Sequence, residues 1–152
     1  MNKRRNRKKK AKLGGVPSPS KTAKIASDPD SFNNMNPSWR ISKMEMVDPF
    51  GWHKLNSEQI NYIREKLSYF ESMTWNQISI DGKKQNHSVA IAQLSKETQK
   101  RLVEINIIDI DELFSLRLSG RERIWGILDK GVLNLLWWDP NHRVCPSIKK
   151  HT

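Results

Sequence analysis

The sequence predicts an α+β fold: a small antiparallel sheet packed against two helices, preceded by a disordered basic tail. Three observations predict it. Three short β-prone runs separated by turn-forming residues crowd the last third of the chain, two amphipathic segments with polar caps precede them, and the composition breaks sharply near residue 34. The 152 residues fit one domain, residues 35–152, plus the tail 1–34.

Residues 1–34 hold ten Lys or Arg against two acidic residues and few large apolar groups, so ordering them has little burial to offset its entropy. The predicted order begins near Pro37. Trp39, Ile41, Met44 and Met46, with polar residues between, outline a first strand that Pro49 and Gly51 end. Asn56 is placed to cap a helix running to about Glu71, with Gln59 as its capping-box partner and Leu55 stapling onto Ile60. Ile60, Ile63, Leu67 and Phe70 share one face of it and are assigned to the core.

The stretch Trp75–Ile80 reads as a short strand and Asp81–Asn86 as a loop. Ser95 caps a second helix from Lys96 to about Ile105, turning Leu94, Leu102 and Ile105 inward. The runs Leu113–Leu118, Arg123–Leu128 and Val132–Trp138 then form an antiparallel meander, joined through Ser119–Glu122 and Asp129–Gly131. On the first run Phe114, Leu116 and Leu118 take one face, Ser115 and Arg117 the other. A single core is expected to gather Trp39, Ile60, Ile63, Leu67, Phe70, Leu102, Leu116 and Ile124.

The formal net charge of +11 points to anionic partners, and its distribution to where they bind. The tail carries +8; residues 113–152 carry seven Lys or Arg against three acidic residues, while the middle is near neutral. Lys3, Arg4, Arg5, Arg7, Lys8, Lys9 and Lys10 form an arm suited to phosphate binding without sequence readout. Cys145 is the only cysteine, so no intramolecular disulfide forms, and no apolar run approaches the roughly 20 residues of a membrane helix. A cytoplasmic, soluble chain is expected.

Arg117, Arg121 and Arg123 cluster around one hairpin loop, a concentration of like charge that makes sense beside a phosphate, whose oxygens guanidinium forks meet bidentately. The competing reading pairs them with Glu112, Glu122 and Asp139 on a solvated edge. His142, just past the last strand, is of the type that moves protons near neutral pH, and Arg143 adds a cation; His142 pairing with Asp139 is the structural alternative. Asp139, His142, Cys145 and His151 make a poor zinc set without a second cysteine, and Cys145 with His142 lacks an evident oxyanion hole for thiol catalysis. No metal or cofactor is assigned, and no Walker loop, dinucleotide fingerprint or H-E-x-x-H occurs.

The stretch Leu116-Arg117-Leu118-Ser119-Gly120-Arg121-Glu122-Arg123-Ile124, then Leu135–Asp139 and His142-Arg143-Val144-Cys145, resembles the RelE-like ribonuclease toxin family. The resemblance covers roughly residues 113–146. It implies a metal-independent endoribonuclease cleaving mRNA at the ribosome and neutralised by a protein antitoxin. Arg117 and Arg123 match the family's two strand arginines and His142 its late polar residue, which makes these three the candidate catalytic groups. Cys145 stands where the family often has tyrosine, leaving either His142 as the base or no efficient nuclease. The alternative function is a non-catalytic RNA- or ribosome-binding protein in which Trp125 stacks on bases; a third is a protein-interaction module localised by its tail.

Overall fold

The computed structural model describes residues 31–81 and 85–146. The basic cluster from Lys3 to Lys10 lies outside them, as does His151. Among the described residues, three α-helices and five strands follow the order β1 (Ser38–Arg40), α1 (Ser57–Glu71), α2 (Trp75–Asp81), β2 (His87–Ala90), α3 (Lys96–Glu104), β3 (Glu112–Arg117), β4 (Arg123–Asp129) and β5 (Val132–Asp139). The α+β class stands. The sheet is mixed, in the order β1-β5-β4-β3-β2, with every pairing antiparallel except β1 on β5.

Local chemistry accounts for the helices. The Asn56 side chain accepts from the Gln59 amide at 2.8 Å while the Gln59 side chain accepts from the Asn56 amide at 3.0 Å, the reciprocal box that starts α1. Ser95 Oγ accepts from the Thr98 amide at 3.2 Å and starts α3. The expected strand at Trp75–Ile80 is instead helix α2. Thr74 and Gln77 make a second capping box, with bonds of 3.2 and 2.9 Å, and Trp75 and Ile78 turn the same way into the core at helical spacing.

The meander forms where expected. Lys130 and Gly131 connect β4 to β5 with both φ values positive, 48° and 84°, the backbone of a tight two-residue hairpin turn. The first strand is much shorter than the alternation around Trp39 implied, and residues 41–50 leave the ladder yet stay against β5. Glu45 N donates to the Leu136 carbonyl at 3.0 Å, and Trp138 N to the Phe50 carbonyl at 3.1 Å. This loop covers the outer edge of β5, a protection edge strands need.

Both faces of the sheet are buried, so two cores replace the single one expected. Ile63 and Phe70 of α1, with Trp75 and Ile78 of α2, pack on Phe114, Leu116, Ile124, Leu133, Leu135 and Trp138. Leu102 of α3 joins Leu113, Trp125, Leu136, Trp137 and Val144 on the other side. A bulge reconciles β5 with both layers: Trp125 pairs with Trp137 but Gly126 with Leu135, so Leu136 is the extra residue and joins Trp137 on the α3 side. Ile60 is 54% exposed and does not belong to either core; Trp39 and Leu67 are partly buried. The domain also begins earlier than residue 35, because Phe32 meets the Trp75 ring edge-on and the Asn33 carbonyl accepts from Asn76.

Candidate active site

Strand register decides which faces Arg117 and Arg123 share. Arg117 lies directly opposite Arg123, and Arg123 directly opposite Asp139, so the three form one row across β3, β4 and β5. The adjacent row on the same face runs His87, Ser115, Trp125 and Trp137 from β2 to β5. This is the α3 face. A cavity of about 210 Å³ opens there, and its lining includes His87, Ser115, Arg123, Trp125, His142 and Cys145.

Arg117 and Arg123 are thus neighbours, but they are held differently. Arg123 Nη1 donates to the carbonyls of Ser119, Gly120 and Glu122 at 3.2, 2.9 and 3.1 Å, which ties the β3–β4 loop to its own strand. Burial, and then the like charge of Arg117, hold the Arg123 guanidinium below its ordinary pKa, against the pull of Asp139. The Arg117 amide donates to Asn86 Oδ1 at 2.7 Å, while its side chain has no ion-pair partner among the described residues. Arg121 is exposed on the loop.

Two of the three acidic groups near these arginines, Glu122 and Asp139, are engaged elsewhere. Glu122 Oε2 accepts from the Trp138 indole at 3.1 Å. Asp139, 1% exposed, receives the amides of Arg143 and Val144 at 2.9 Å each. Those two bonds close the turn after β5 and set His142 at a φ of 58°, in the left-handed region. Asp139 therefore positions His142 through the backbone instead of pairing with it. The His142 Nδ1 is buried and finds no hydrogen-bond partner among the described residues.

Arg143 departs from its expected role. Its Nη2 contacts both Glu97 oxygens at 2.9 and 3.0 Å and its guanidinium lies 5.4 Å over the Phe50 ring, so it fastens the turn to α3 and the loop rather than joining the other arginines. Trp125 also departs: at 2% exposed it cannot stack on a base from the surface. Burial, followed by Asp139, pushes the Cys145 thiol up, opposite to what nucleophilic thiols need.

His87, Ser115 and Trp125, with Gln85 and Val89, line the cavity without having been assigned to a catalytic site from the sequence. The signal existed in part, since Ser115 and Trp125 fall on the alternation of Arg117 and Arg123. A larger hollow of about 590 Å³ lies on the other side of the sheet, between α1 and the Trp39–Met46 segment; it is mainly apolar and contains no histidine or cysteine. Size alone would favour it, but the chemistry sits in the smaller cavity. Comparisons with protein-family models, with curated proteins and with solved structures found no match. No helix among the described residues is long and apolar enough to cross a membrane.

Proposed function

We propose that the chain is a metal-independent endoribonuclease of toxin type, acting in the cytoplasm on mRNA held by the ribosome and neutralised by a protein antitoxin. One observation carries the reading: Arg117 and Arg123 face each other on one row, and His142 shares a cavity with Arg123 while its Nδ1 is left without a partner. Neutral His142 takes the proton of a ribose 2′-hydroxyl, whose oxygen attacks the adjacent phosphorus. The bond to the 5′ oxygen breaks, leaving a cyclic 2′,3′-phosphate, and the departing oxygen takes up a proton from water. Arg117 and Arg123 offset the charge that grows on the phosphoryl oxygens, and Arg121 holds the neighbouring backbone. The raised thiol of Cys145 leaves the base role to His142.

A specific observation favours a second reading, non-catalytic RNA or ribosome binding: Arg123 is already bonded to three loop carbonyls. Cleavage of mRNA on programmed ribosomes separates the two. Arg117→Ala and Arg123→Ala are each expected to slow cleavage roughly a hundredfold, and His142→Ala to slow it well beyond any loss of RNA affinity. Chelators are expected to leave the rate unchanged. Absence of cleavage by the wild type, with binding lost only in the arginine variants, overturns the nuclease and leaves the binding protein.

A further inference from the structure

We propose that the cavity on this face of the sheet, between β2–β4 and the turn after β5, is a phosphate pocket in which the Trp125 indole N–H and the His142 imidazole join Arg123 in holding the oxyanion. The inference rests on the nuclease reading for its link to RNA, but phosphate capture is a property of the cavity alone. Two buried nitrogens without partners carry it: Trp125 Nε1 and His142 Nδ1, on two residues that line the same cavity of about 210 Å³. Buried polar atoms are nearly always satisfied, so two orphans on residues that line one small space call for an occupant.

The lining decides which occupant. An indole N–H and a guanidinium only donate, hydroxyl and imidazole groups can donate, and no carboxylate lines the space. His87, Ser115 and Trp125 stand side by side on three neighbouring strands, so donors arrive from along one row while Arg117 and Arg123 supply charge from the next. Asp139, the nearest acid in that second row, has each carboxylate oxygen turned to a backbone amide. A neutral occupant or water satisfies the nitrogens but leaves the charge of the juxtaposed arginines offset by Asp139 alone; a phosphate oxyanion answers both.

The test is a titration of the full chain, followed through the indole N–H signals of its six tryptophans. The probes are inorganic phosphate, a nucleoside 3′-monophosphate, the same nucleoside without phosphate, and a short uncleavable RNA. The signal that disappears in Trp125→Phe is expected to move saturably with both phosphates and not with the bare nucleoside. Tighter saturation by the monophosphate than by RNA identifies a free phosphomonoester as the source, and the reverse identifies the RNA backbone. Trp125→Phe, and His142→Gln should the first not fold, is expected to weaken phosphate roughly ten- to hundredfold, the range for one hydrogen bond to a charged group. A shift that chloride reproduces at equal ionic strength, or no saturable shift, overturns the pocket. Phosphate binding without RNA cleavage leaves the pocket standing and removes the nuclease; cleavage without phosphate binding does the opposite.

Discussion

Replacing Glu45 with alanine tests how the loop before α1 is fastened to the rest of the fold. Its carboxylate accepts from Arg101 Nε at 3.1 Å and from the Trp137 indole at 2.6 Å, and also pairs with Arg101 Nη2. The Glu45 and Arg101 side chains are only 10% and 20% exposed, so both charges sit largely out of water. Breaking such a pair costs about 3–5 kcal/mol, because the surviving charge is left buried. Glu104 retains a 3.0 Å bond to Arg101 Nη1 and softens the loss, whereas the Trp137 N–H, fully buried, gains an unsatisfied donor worth about 1–3 kcal/mol. A net loss of about 4 kcal/mol follows, on the order of 15 °C in Tm for a domain of this size. Urea titration read by tryptophan fluorescence measures it. The double variant Glu45→Leu with Arg101→Met is expected to recover part of the loss, since an apolar pair carries no buried charge. A loss below about 1 kcal/mol for Glu45→Ala refutes the buried-pair argument.

Two further outcomes follow from the sheet and the cavity. An alanine Cβ at Gly126 would stand 2.4 Å from the Asn134 carbonyl oxygen, a backbone atom that cannot swing away, so Gly126→Ala is expected to destabilise by roughly 1–3 kcal/mol in the same titration, and an unchanged midpoint contradicts the close approach. The Cys145 thiol, raised by burial and by Asp139, stays protonated to higher pH in the folded than in the unfolded chain; its stabilising contribution is present below the unfolded pKa and lost as pH climbs through the folded one. The pH profile of iodoacetamide alkylation is therefore expected to inflect above the ordinary thiol value of about 8.5, and an inflection at or below it counts against the assignment.

The elements legible in the sequence are those decided by neighbours along the chain. Asn56 and Gln59 announce α1, Ser95 announces α3, and the turn at Lys130–Gly131 fixes the last hairpin. Helix α2 is lost to its composition: Trp75, Ile78 and Ile80 are β-prone types, and the deciding signal is the shorter one, Thr74 and Gln77 bonding each other's backbone. Strand β2 is only four residues, two polar and two apolar, whose only strong tie is to β3, so nothing within it declares a strand. The second core was partly visible in Leu133–Trp138, a nearly unbroken apolar run of the kind found in strands covered on both sides. Which face α3 covers depends on the path between β2 and β3, and no periodicity encodes it. For the site, alternation brought out Arg117 and Arg123, but Arg143 could not be separated from them before Glu97 was seen to meet it from α3.

The parallel pairing of β1 with β5 has a consequence for how the chain is made. Among the described residues, Ser38–Arg40 leave the ribosome before any other strand, and their only sheet partner, Val132–Asn134, belongs to the last strand to be synthesised. The hairpins β3–β4 and β4–β5 close over short loops and can zip as soon as they emerge, whereas β1 must wait for a contact spanning nearly the whole described chain. During that interval the outer side of β5 lacks the backbone of residues 38–50 and offers open N–H and C=O groups to any other strand. The step that completes the domain is thus also the one that hides its most adhesive edge, and nascent chains halted between the two events would be the aggregating species.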